Sequence, residues 1–228
     1  MDVILDNAET ERQFQEILSG IRRLKNGETV ARMKALGAVY RISWGASVVS
    51  LRELAGRYAK SHLLALKLWN KQWRETMILA TLLEDPEFLS EEQMDYWTKN
   101  FETAELSEQA VANLYVHSPL AFAKALEYCC GKKHWVRYTG LLLMGRLARF
   151  DRQAINELFE GFFELLPPLM KDASLADVCY RSLLLLAGRN GQLRRQVLDF
   201  LEPVKSGESE QAARLAEILT EELKPLEG

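Results

Sequence analysis

The chain has 228 residues, 48% of them hydrophobic and 27% charged, with a formal net charge of −3. That length is ample to bury a core, and the composition is that of an ordinary globular protein rather than a disordered or membrane-spanning one. The small negative charge gives no global attraction to nucleic acid, although a local basic surface acts over the screening length and is compatible with it.

The opening stretch MDVILDNAETERQF has no basic segment followed by a long apolar one, so it does not read as a signal peptide. The longest apolar runs, such as TGLLLMG, fall far short of a membrane span. Cys129, Cys130 and Cys179 are odd in number and lack CxxC spacing, which argues against a disulfide framework and a zinc site. A cytoplasmic, reducing environment is the expectation.

Strand-like alternation is scarce, whereas apolar residues recur at three and four, as in Leu141, Met144, Leu147 and Ala148. Helices are predicted near 8–25, 28–36, 48–59, 61–71, 73–84, 90–100, 104–116, 118–129, 133–149, 151–165, 174–188, 191–203 and 208–223. LSEEQM supplies Ser90 as an N-cap with Gln93 three residues on, a capping box. HSPLAF suggests Ser118 as N-cap with Pro119 at the first helical position, and DASLAD repeats the box with Ser174 and Asp177. CCGKK, AGRNGQ and KSGESE supply the stops.

From residue 61 the helices read as pairs whose second members start near 73, 104, 133, 174 and 208. The period matches helical-pair solenoids of the HEAT type. The expected architecture is all-α, a right-handed superhelix of paired antiparallel repeats. It is one domain over 1–228, with a helical cap at 1–60 and the repeats at 61–223. The second helices carry Arg74, Glu105 with Glu108, Arg137, Arg181 and Arg214 in their first turns, which would form a charged ladder along one face. Charges near a helix start are, however, usually solvated, which is the simpler explanation.

Charge is uneven along the chain. Lys132 to Arg152 holds six basic residues against Asp151, and Val178 to Leu198 holds Arg181, Arg189, Arg194 and Arg195 without an acid. No GxxxxGK[ST] loop, strand-linked GxGxxG or GxSxG elbow is present, and His62, His117 and His134 stand apart from cysteine ligand spacing. No cofactor and no metal are expected. The vicinal Cys129–Cys130 pair and the five tryptophans read first as packing.

Two blocks carry a resemblance. MKALGAVYRISWGASVVSLRELAGRY (33–58) and ALKLWNKQWRETMILATLLEDPEFLSEEQMDYWTKNF (65–101) resemble the DNA alkylation repair family of AlkD-like alkylpurine glycosylases. WVRYTGLLLMGRLA (135–148) and LAGRNGQLRRQVLDF (186–200) are similar to its later repeats. The resemblance implies a HEAT-like superhelix with a concave basic groove that cradles duplex DNA, damaged or not. It also implies cleavage of the glycosidic bond to cationic N3- and N7-alkylpurines without turning the base into a pocket. Such a base departs as a neutral molecule, so the site must stabilise positive charge growing on the sugar. A carboxylate does this, aromatic faces assist, and an arginine pins a phosphate.

By alignment with the family's DSWDxxD segment, Ala104 stands at a tryptophan position and Glu108 at the catalytic aspartate. Glu105 lies beside them in the groove, and Arg181 falls where a second tryptophan is expected. Arg137 is similar in place to the phosphate-gripping arginine. Lys132, Lys133, Arg181, Arg189, Arg194 and Arg195 complete the expected DNA-binding set. The lost aromatic walls and the longer Glu108 stem weigh toward DNA holding over base excision, since misplacement of about 1 Å can lower a rate about 10²-fold. A monomeric DNA-binding protein is the first expectation. A non-catalytic scaffold for a protein or peptide is the alternative.

Overall fold

A computed structural model describes residues 7–224. Residues 1–6, which open the stretch tested above for a signal peptide, lie outside the described residues, as do residues 225–228. No described helix is long and apolar enough to cross a membrane. The described residues form thirteen α-helices and three short 3-10 turns, and contain no strand.

The helices group into two compact units, divided between Ser118 and Pro119. The first holds α1 (Ala8–Arg23), α2 (Gly27–Ala35), α3 (Val48–Ala55), α4 (His62–Asn70), α5 (Arg74–Leu83), α6 (Glu91–Lys99) and α7 (Ala104–Asn113). The second holds α8 (Ala121–Cys129), α9 (His134–Phe150), α10 (Glu160–Met170), α11 (Ala176–Ala187), α12 (Gly191–Lys205) and α13 (Glu210–Leu223).

Short polar residues start most of these helices by accepting from a backbone amide three positions on. Asn7, Asn26, Ser47, Ser61, Ser90, Thr103, Asn190 and Ser209 all do so. At α6 the box forms only by half. Ser90 Oγ accepts from the Gln93 amide at 3.2 Å, but the Gln93 side chain turns away to donate to Glu84 at 2.6 Å. The buried Glu84 also takes the Asp85 amide at 2.9 Å and His62 Nδ1 at 3.0 Å.

Three sequence expectations are corrected. Ser118 is buried behind the 3-10 turn Tyr115–His117, so α8 starts at Ala121, past Pro119, and has no side-chain cap. Ser174 is capped rather than capping. Asp172 Oδ1 accepts from its amide at 3.0 Å, and α11 begins at Ala176 after a 3-10 turn. The helix expected at 151–165 begins later, because Asp151 Oδ1 turns back onto the amides of Gln153 (3.1 Å) and Ala154 (3.0 Å). The 3-10 turn Asn156–Phe159 then leads into α10, which carries Pro167 and Pro168.

The core of the first unit centres on Trp69 and Trp97, stacked with centroids 4.3 Å apart, with Phe101 edge-on to Trp69 at 6.0 Å. These tryptophans are core, as the sequence reading held. In the second unit α9 packs between α8 and α11. Gly140 permits the first contact, since a Cβ there would lie 2.6 Å from the Cys129 amide nitrogen and 2.9 Å from the Ala125 carbonyl oxygen. Gly145 permits the second, facing Ser182 Cα at 2.8 Å. The three cysteines are free. Cys129 and Cys179 are buried, which pushes both thiols up, Cys179 to about 12. They are packing groups rather than nucleophiles.

Because the clash at Gly140 is with backbone, no rotamer change relieves it. Gly140→Ala is expected to destabilise the protein by about 1–3 kcal/mol. Urea unfolding should show a lower midpoint at unchanged slope.

Candidate nucleic-acid interface

Two polar constellations stand out, one in each unit. The first is built around Arg74 at the start of α5, which is 3% exposed. Its Nε and Nη2 donate as a fork to Glu105 Oε2 (2.7 Å) and Oε1 (2.5 Å). Its Nη1 donates to Glu75 Oε1 at 3.0 Å and to the Ala46 carbonyl at 2.8 Å. Glu75, fully buried, accepts the amides of Trp44 (3.1 Å) and Gly45 (2.9 Å) and the Ser43 hydroxyl (3.2 Å). Tyr40 donates its hydroxyl to Glu105 Oε2 at 2.5 Å and lies 2.8 Å from Thr103 Oγ1.

Burial alone would raise the Glu105 carboxyl, but the Arg74 hydrogen bonds and charge, with Tyr40, outweigh it and hold the group low. Burial works against the Arg74 cation too, yet Glu105 and Glu75 carry it above its ordinary value. Tyr40 is pushed up by burial and by Glu105, so its proton stays on oxygen. The network ties the loop after α2 and the starts of α5 and α7 together. Glu105 therefore has both oxygens engaged inside the fold. Ala104 and Glu108 are half-buried nearby on α7, with Glu108 one turn along from Glu105 on the same face.

The second constellation lies where α9 and α11 begin. Arg137 pairs with Asp172 at 2.8 Å. Asp172 is held low, first by the Ser174 hydroxyl and amide against modest burial, then by Arg137. Ser174 Oγ sits 3.1 Å from His134 Nδ1. Arg181 donates to Tyr138 Oη at 2.8 Å and pairs with Asp177 at 2.8 Å. His134, Trp135 and Tyr138 form an aromatic group, with Trp135 5.3 Å from Tyr138. Both arginine side chains remain partly open, 26% for Arg137 and 38% for Arg181. Exposed Lys132, Lys133 and Lys171 flank them, so cations outnumber Asp172 and Asp177 here.

The other residues of the expected DNA-binding set lie elsewhere in this unit. Arg189 donates to the carbonyls of Ala148 (2.9 Å), Asp151 (2.5 Å) and Ala154, and lies over the Phe159 ring at 5.1 Å. It closes the end of α9 onto the following turn. Arg194 is half-buried and Arg195 exposed, both near the start of α12. Among the described residues, no group of three or more His, Cys, Asp or Glu is arranged to hold a metal.

Sequence reasoning missed Tyr40 and Asp172. Tyr40 lies in a stretch without helical periodicity, and Asp172 stood in a cap motif assigned to Ser174.

The family model for DNA alkylation repair enzymes matches residues 17–174. The chain belongs to that family. A solved structure from a new family of proteins related to the HEAT-like repeat DNA glycosylases, with affinity for branched DNA structures, is also similar. The TM-score is 0.73 at 15% identity, covering 93% of this chain and 94% of that one. This likeness shows the fold, an α-solenoid of HEAT-like helix pairs. No curated protein matches. As a member of the DNA alkylation repair family, the chain has Arg74, Glu105, Glu108 and Arg137 inside the matched segment, which ends before Arg181.

Glu105 is lowered in the folded state, so its ionised contacts stabilise the fold above the unfolded carboxyl pKa. That contribution is lost as pH falls through the lower folded value. Glu105→Gln is expected to cost about 2–3 kcal/mol near neutral pH, less than a fully buried pair because the carboxylate is partly solvated. The difference from the parent protein should shrink as pH falls below 4.5, read by denaturant unfolding across pH.

Proposed function

We propose that this protein is a DNA-holding member of its family, gripping phosphates through the edge where α9 and α11 begin. The observation that carries this reading is the pinned pair there. Arg137 is oriented by Asp172, and Arg181 by Asp177 and Tyr138, while both guanidinium groups stay partly open. An arginine held on one side presents its remaining donors in a fixed fork, the arrangement suited to phosphate oxygens. Lys132 and Lys133 add charge beside it, and Arg194 and Arg195 extend the basic surface along the chain. Arg189 is better assigned to holding its loop. The related structure's affinity for branched DNA makes branched as well as plain duplexes the ligands to test.

Base excision is the weaker part of the family inheritance in this chain. Ala104 offers no ring to a sugar, and by the family alignment Arg181 replaces the second ring with a cation. Glu105 is engaged by Arg74 and Tyr40, which leaves Glu108 to act alone if any acid acts. Its extra methylene makes positioning harder.

Arg137→Glu combined with Arg181→Glu should weaken duplex binding and lower the salt slope by about 2, from about 0.9 per phosphate contact. Fluorescence anisotropy across a salt series reads both; an unchanged affinity and slope would remove this edge from the interface. Release of 7-methylguanine from alkylated duplex should stay at background for the parent chain and for Glu108→Gln alike. Release by the parent that Glu108→Gln abolishes would establish excision instead.

A further inference from the structure

The loop between α2 and α3 has an unusual composition for its exposure. Leu36 is 77% exposed, Val39 62% and Ile42 40%, three large apolar side chains within seven residues. The helix that precedes them, α2, buries none of its side chains. From Arg22 to Arg41 the chain carries Arg22, Arg23, Lys25, Arg32, Lys34 and Arg41 against the lone acid Glu28. Exposed apolar side chains on a poorly buried segment usually belong to something mobile. Here the segment is fastened at both ends. Tyr40 is tied to Glu105 and Thr103, the Ile42 carbonyl accepts the Arg74 amide at 3.0 Å, and Glu75 holds residues 43–45. The Trp44 carbonyl accepts the Asn26 amide at 2.8 Å, and Gly45 has a φ of +77° where a Cβ would lie 2.1 Å from the Asn26 oxygen.

Between α2 and this loop lies an open cleft of about 350 Å³. Val30, Met33, Val39 and Ile42 line it with Lys34 and Arg41. That volume sits at the small end of ligand clefts, which run from about 300 to 1,000 Å³.

We infer that this ridge and cleft take an unstacked nucleobase of an interrupted or branched duplex, with the flanking phosphates on Lys34, Arg41 and Arg32. An apolar, rigid protrusion set in positive charge complements a polyanion that exposes flat apolar faces. Intact duplex hides those faces, whereas junctions, gaps and unpaired stretches present them. Nucleic-acid-binding proteins use apolar wedges at opened base steps and stack single-stranded bases on side chains. An acidic peptide would satisfy the charge but would not call for a cleft of this size rimmed by apolar side chains. The inference rests on the DNA-holding reading, but it uses residues of the other unit.

The test compares anisotropy of an intact duplex with that of the same duplex carrying a central unpaired thymine stretch, for the parent chain and for Leu36→Ser/Val39→Ser/Ile42→Ser. These side chains are exposed, and an unchanged thermal unfolding curve verifies the fold. The parent should bind the interrupted duplex about tenfold more tightly, and the triple variant should lose that preference while its affinity for intact duplex stays the same. A fluorescent base analogue in the unpaired stretch should report contact with the parent and not with the variant. If the preference survives in the triple variant, or the parent has none, the inference is overturned. Interrupted duplex bound through the ridge with no affinity for intact duplex would sink the phosphate edge and keep this site. No binding of either DNA would sink both, and self-association abolished by the triple variant would reassign the ridge to a second copy of the chain.

Discussion

A buried guanidinium is a liability unless its charge is met within the fold, because removing a cation from water has an effective penalty of several kcal/mol. Arg74 is met twice, by Glu75 on its own helix and by Glu105 from α7. Two carboxylates against one cation would leave excess negative charge. Backbone amides of Trp44 and Gly45 and the hydroxyls of Ser43 and Tyr40 absorb it. Each carboxylate thus gains both a cation and neutral donors, and the network closes on itself. Its long-range bonds join residues 28 to 65 positions apart in the chain. The cluster therefore acts as a cross-link, and the stretch from Tyr40 to Ala46 is the part most dependent on it. With no buried side chain in α2, little apolar burial is available there to do the same work.

The arginines of the second unit show how acceptor supply divides one residue type among roles. Arg189 meets three backbone carbonyls at the end of α9, where helix termini leave acceptors without partners. Its charge also suits the negative end of the helix dipole. Arg137 and Arg181 instead each meet one aspartate at the edge and keep part of their surface in solvent. An aspartate in that position orients the guanidinium and offsets part of its charge. The neighbouring lysines are exposed and add positive charge. Orientation and net positive charge are thereby supplied by different residues.

Thirteen helices were legible because caps, glycine stops and apolar spacing agree along the chain. Two of the three errors fall where side chains compete for the same amides. Asp151 and Asp172 each turn the chain locally through their own carboxylates, and neighbouring residues with equal capping propensity mask that choice in sequence. Part of the site was legible for another reason. Arg74 and Glu75 stand in a block that resembles the family, yet nothing local says that the arginine faces inward. That depends on Glu105, 31 residues on, and on a loop whose only periodicity is apolar exposure. Glu105 and Glu108 look equivalent in sequence at a spacing of three. The structure shows Arg74 and Tyr40 on the first, a contact that the spacing does not predict.

The two polar constellations place different demands on a ligand. In the proposed reading the α9–α11 edge would recognise phosphate, which every nucleic acid offers. The ridge after α2 would recognise flat apolar surface, which intact duplex keeps inside its stack. A ligand offering only phosphate would be held weakly and released by salt. In that reading discrimination would come from the deformability of the DNA rather than from its sequence, since opening an already interrupted duplex requires little unstacking.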